Sequence, residues 1–123
     1  MRNPIFAVVQ PPVHSAPIGH PPTWDAAMNR SGGRCECTGA CGRTHSRTEF
    51  RCDRHHDRGG VRLLVAPADL TLSPERATHT PLADLRVWCP DCHRLTRRRQ
   101  TEAARERARQ ESAADEAPTL FEL

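Results

Sequence analysis

Apolar positions along this chain are few and gather in short runs. Val61-Arg62-Leu63-Leu64-Val65-Ala66 is the one run that reads as a strand, with Gly59-Gly60 before it as a turn and Pro67 ending it. Prolines at 67, 74 and 81 predict a loop over residues 67–81. A second apolar run, Leu82 to Trp88, leads into Cys89-Pro90-Asp91-Cys92-His93. Proline suits a first helical turn, so a helix is expected from about Cys89, carrying His93 and Leu95. Its extension from Gln100 to Glu116 is rich in Ala, Arg, Glu and Gln, good helix formers with almost no apolar face, and should be solvated.

Upstream the pattern fades. Proline doublets at 11–12 and 21–22 make residues 1–22 read as an extended, disordered tail. Thr23 is placed to cap a short helix over residues 24–28, ended by Gly32-Gly33. Trp24 then either anchors this lead-in to the module or stands exposed. The apolar stretch from Ile5 to Val9 is too short for a secretory core, and no run approaches a membrane span. A cytoplasmic setting without membrane contact is the expectation.

A chain of 123 residues with five aromatic side chains and many tail alanines cannot build a large core. Such a unit needs a staple, and six cysteines supply one. In a reducing compartment clustered cysteines read as metal ligands before disulfides. Cys37-Thr-Gly-Ala-Cys41-Gly42 resembles a zinc knuckle with one extra residue, and Cys89-Pro-Asp-Cys92 is a regular Cys-x-x-Cys at a helix start. Cys37, Cys41, Cys89 and Cys92 therefore form the expected structural zinc site, Zn²⁺ held by four thiolates. Cys35, His45, Cys52 and His55 remain. They offer a second zinc site, or they are two buried thiols and two surface histidines. The spacing lacks the dense cysteine run that iron–sulfur clusters favour.

All 18 basic residues are arginine. Residues 31–99 hold 13 of them against 8 acidic residues, whereas residues 100–123 hold 3 against 6. A basic module followed by an acidic tail fits a polyanionic partner.

The run Arg34-Cys-Glu-Cys-Thr-Gly-Ala-Cys-Gly42, a hydrophobic strand ending near Asp69, and Asp84-Leu-Arg-Val-Trp-Cys-Pro-Asp-Cys-His93 together resemble the HNH endonuclease family. The resemblance covers about residues 31–99, and the last segment is its most specific part. It implies a small α+β fold: a zinc-stapled, HNH-like ββα-metal (treble-clef) module. Residues 1–30 form the proline-rich tail with its short helix, 31–99 the module, and 100–123 a charged helix and acidic tail.

The resemblance also implies a site. In such nucleases a histidine beside a metal-binding acid activates water, an asparagine orients it, and a helix histidine completes a divalent-ion site. Here these positions fall on Asp69-Leu70, Asp84 and His93, so the general base is Leu70. Leucine cannot accept a proton. The expected function is thus a DNA-binding module with Arg43, Arg47, Arg97, Arg98 and Arg99 on phosphates, and with cleavage doubtful. The alternative is an active nuclease holding Mg²⁺ at Asp69 and His93, with His79 as substitute base. A further alternative is a protein-interaction adaptor, since Leu120-Phe121 resembles the Leu-Phe core of peptides that dock on the replication sliding clamp.

Overall fold

The computed structural model describes residues 20–116 of the chain. Residues 1–19 and the clamp-like Leu120-Phe121 lie outside the described residues. Helix α1 spans Pro21–Ser31, starting earlier than expected because Pro21 and Pro22 occupy its first turn, where no N–H donor is needed. Gly32, at φ 72°, closes it in the left-handed region, and Gly33 N donates to the Met28 carbonyl at 3.0 Å. Trp24 does anchor this helix: it packs on the core and meets the His56 ring edge-on at 5.3 Å.

Beyond the helix the chain folds back on itself. His56 N donates to Gly33 O, Cys35 N to Arg54 O and Cys52 N to Cys37 O, all at 2.9 Å. These bonds zip residues 33–37 against 52–56 as an antiparallel ribbon.

Two strands follow, β1 (Leu64–Pro67) and β2 (Leu85–Trp88), antiparallel with Leu64 opposite Trp88 and Pro67 opposite Leu85. β1 begins at Leu64 and not at Val61. The Val61 amide and carbonyl are spent in a turn with Arg58 and Asp57, and the Leu63 amide donates to His56 Nδ1 at 3.0 Å. Pro67 pairs within the strand although proline was expected to end it. Its partner Leu85 turns its carbonyl to Arg30 Nη2 at 2.8 Å, so no donor is demanded of Pro67.

The connection between the strands contains a short helix, α2 (Pro74–Thr78), where a loop was expected. Ser73 caps it by accepting from Arg76 N, and Pro74 sits in its first turn. After β2 the chain enters α3, Pro90–Glu116. Cys92 and Thr96 on its inner face are fully buried, whereas Glu102, Ala103 and Arg105 to Asp115 are exposed. The module is a small α+β unit with three helices and a two-stranded sheet among the described residues.

The core is thin. Its larger buried side chains are Leu63, Val65, Leu85, Val87 and Trp88, and all six cysteines are buried among them. Among the described residues no helix is long and apolar enough to cross a membrane.

Candidate metal centre

The ribbon, the knuckle and the first turn of α3 converge on the cysteines. All six thiols are free and buried. The Cys52 and Cys89 sulfurs lie 4.0 Å apart, about twice a disulfide bond. Two sets of donor atoms lie within 4.8 Å of one another: Cys35, Cys52, Cys89 and Cys92, and Cys37, Cys41, His45 and Cys92. Either set could hold a metal such as zinc, since the first offers four sulfurs and the second three sulfurs and an imidazole nitrogen.

This grouping differs from the one that spacing suggests. Cys37 and Cys41 do not join Cys89 and Cys92 as one set, and His55 belongs to neither set. The reason is local. Cys89 N donates to Cys35 Sγ at 3.2 Å, which locks Cys35 rather than Cys37 onto the foot of α3. His55 sits in the ribbon opposite Arg34, and its Nδ1 lies 2.8 Å from the Asp53 carbonyl oxygen. His45 reaches the cluster instead. Its Nε2 lies 3.5 Å from Cys41 Sγ and 3.9 Å from Cys92 Sγ.

Backbone amides aim at the sulfurs as they do around thiolate–metal centres. Cys92 N donates to Cys89 Sγ at 3.3 Å and Arg43 N to Cys41 Sγ at 3.4 Å. The Arg43 guanidinium donates to Cys92 Sγ at 3.3 Å, and its own pKa is raised by the Cys41 and Cys92 sulfurs. Four thiols packed this closely cannot all ionise unaided. Hydrogen bonds from Cys35 and Cys92 pull the Cys89 thiol well down, while the contact with Cys89 pushes Cys35 up to about 12. Cys92 is pushed up by Cys35 and Cys89. Burial pushes the Cys41 thiol up, but hydrogen bonds from the Arg43 side chain and amide outweigh it and leave it lowered. A divalent cation displaces such shared protons, so metal uptake releases them.

Arginines hold the frame of this centre. Arg51 donates to the carbonyls of Cys35 (2.9 Å), Ser31 (2.8 Å) and Arg34 (3.2 Å). Arg34 answers by donating to the carbonyls of Cys52 (2.8 Å), Arg51 (3.0 Å) and Thr48 (3.2 Å). Gly42, at φ 99°, lies so close under Arg99 that a Cβ there would meet its Nη1 at 2.9 Å. Of the arginines expected on phosphate, Arg43 is thus turned to sulfur and Arg99 lies over the knuckle. Arg47 lies on the exposed 3₁₀ turn Ser46–Thr48, and Arg97 and Arg98 on α3.

Of the nuclease-like positions, Asp69, Leu70 and Asp84 flank the Pro67–Leu85 end of the sheet, whereas His93 follows Cys92 at the start of α3. Asp69 Oδ1 accepts from Thr71 N at 2.9 Å and Thr71 Oγ1 at 2.6 Å, which lowers its pKa and spends that oxygen on a turn. Gln100 clamps the same turn to α3, accepting from Leu70 N at 2.7 Å and donating to Ala68 O at 3.0 Å. Leu70 packs on the core. His93 stands edge-on to Trp88, and burial, aided by the Arg97 charge, lowers its pKa. Asp69, Leu70 and His93 line one narrow cleft. Asp69, His79 and Asp84 line a wider cavity of about 600 Å³ with Glu75 and Arg76.

No protein-family model, curated protein or solved structure matches this chain.

Proposed function

We propose that this chain is a zinc-stapled, HNH-like ββα module of treble-clef type that holds double-stranded DNA on one face of α3 without cutting it. The observation that carries the reading is a stripe on that helix. Arg94, Arg97, Arg98, Thr101 and Arg105 recur at helical spacing and line one groove together with His93 and a single acid, Glu102, which pairs with Arg98 at 3.3 Å. A helix fits a major groove, and four guanidiniums in a row match a phosphate backbone. The metal is a staple in this reading. Both donor sets are complete with four protein ligands, whereas a catalytic zinc keeps an open position. Cleavage is not part of the function because Leu70 stands at the base position.

Fluorescence anisotropy of zinc-loaded protein on an arbitrary 20-bp duplex tests this. Four phosphate contacts give a slope of about −3.6 in log affinity against log salt. The triple variant Arg94→Ala, Arg98→Ala, Arg105→Ala should flatten that slope by about 2.7. An unchanged slope and affinity would end the proposal.

The shared cavity of Asp69, His79 and Asp84 favours one other reading, a nuclease holding Mg²⁺ at Asp69 and His93 with His79 as the base. His79 Nδ1 lies 3.0 Å from the Glu75 carbonyl, which leaves Nε2 for a substrate water. Nicking of supercoiled plasmid with Mg²⁺ or Mn²⁺, lost in both His79→Ala and His93→Ala, would replace the binding-only reading.

A further inference from the structure

We infer that the two donor sets form a single dinuclear zinc cluster in which Cys92 Sγ bridges both ions, a proposal that rests on the zinc-stapled reading above. The donor count points there first. Two tetrahedral ions require eight ligand positions, and the two sets contain seven residues because Cys92 belongs to both. Every cysteine of the chain is used, and only Cys92 is used twice.

The distances agree. With zinc–sulfur bonds of about 2.3 Å, two sulfurs of a tetrahedron stand about 3.8 Å apart, and sulfur and nitrogen about 3.6 Å. Cys52 to Cys89 is 4.0 Å, Cys41 to His45 3.5 Å and Cys92 to His45 3.9 Å. Cys92 therefore stands at a tetrahedral edge from His45 of the second set while also belonging to the first, with Cys35, Cys52 and Cys89.

The backbone also supports a second ion. His45 sits at φ 54°, and Glu49 and Phe50 in the same loop at 61° and 64°, all in the left-handed region. Such a backbone is unfavourable for residues other than glycine without a compensating interaction. A second ion on Cys37, Cys41, His45 and Cys92 would supply that interaction at His45.

Charge closes the case. Uptake forms eight zinc–donor bonds and releases whatever thiol protons the six cysteines still carry, and with His45 neutral two dications and six thiolates carry a net −2. Cys92 lies in the first turn of α3, and the Arg43 guanidinium stands 3.3 Å from its sulfur, a cation set against that net charge.

The test is ¹¹³Cd NMR of the full chain loaded with cadmium alone, beside elemental analysis of the zinc form. Two zinc ions per chain are expected. Two ¹¹³Cd resonances should appear, one tetrathiolate and one of three sulfurs and a nitrogen, each split by the other through the shared sulfur. His45→Cys should move only the second resonance, into the tetrathiolate range, and keep the splitting. One ion per chain, or two resonances without mutual splitting, overturns the bridge. Either result would leave DNA affinity untouched. Failure of the DNA test would in turn leave the split resonances in place.

Discussion

Residues 33–56 and helix α3 are both rich in arginine, yet they use it in opposite ways. In the ribbon and knuckle, Arg34 and Arg51 turn inward and each donates to three carbonyls. On α3, Arg94, Arg98 and Arg109 pair with Asp91, Glu102 and Glu106 one turn away, and all three are largely exposed. The backbone explains the difference. A helix satisfies its own carbonyls, so arginines such as Arg94, Arg98 and Arg109 meet solvent and neighbouring acids. An irregular loop around a cysteine cluster leaves carbonyls unpaired, and arginine has the reach and the donors to collect several at once.

Removing the metal attacks the loop and should spare the helix stripe. In the zinc-stapled reading proposed above, metal binding supplies folding energy on the order of ten kcal/mol, so a strong chelator should abolish cooperative unfolding as followed by Trp24 and Trp88 fluorescence. A module that still unfolds cooperatively when metal-free would show that the thin core suffices without a staple.

The arginine contrast can be tested on single residues by urea unfolding of zinc-loaded protein. Arg51→Met should cost about 3 kcal/mol, because three carbonyls lose their donor. Arg98→Met should stay within about 0.5 kcal/mol. Equal costs would erase the distinction between the two regions. A smaller effect is expected where the helix meets the core. Thr96 is fully buried, and its hydroxyl has no partner among the described residues. Thr96→Val should therefore stabilise by about 1 kcal/mol, and a loss of that size would mean the hydroxyl is satisfied after all.

Much of this was legible from residue pattern. The cysteine spacing announced a metal-binding cluster, the 61–66 run led into the first strand, and Pro90 marked the start of α3. What stayed hidden depends on three-dimensional registration. Spacing pairs Cys37 with Cys41 but cannot say which pair shares an ion with Cys35, since that is settled by the Cys89 amide reaching Cys35 Sγ. His45 and His55 were indistinguishable as candidate ligands, for the left-handed turn that lifts His45 to the cluster leaves no mark in composition. Arginine counts gave no hint that Arg34 and Arg51 are internal props. Helix α2 escaped notice behind three prolines, although Ser73-Pro74 is itself a helix-start signal.

Glu36 received no attention in the sequence, yet it changes how this protein meets its own copies. Its amide donates to the Val87 carbonyl at 2.7 Å, and its carboxylate accepts from the Val87 amide at 2.8 Å while Arg30 holds it at 2.6 Å. One residue thus fills both hydrogen-bonding places that β2 would otherwise offer at Val87. An open edge on a sheet this small would be a template for strand addition and aggregation. The Glu36–Arg30 pair closes that edge at Val87, so a second copy of the chain finds no free donor or acceptor there.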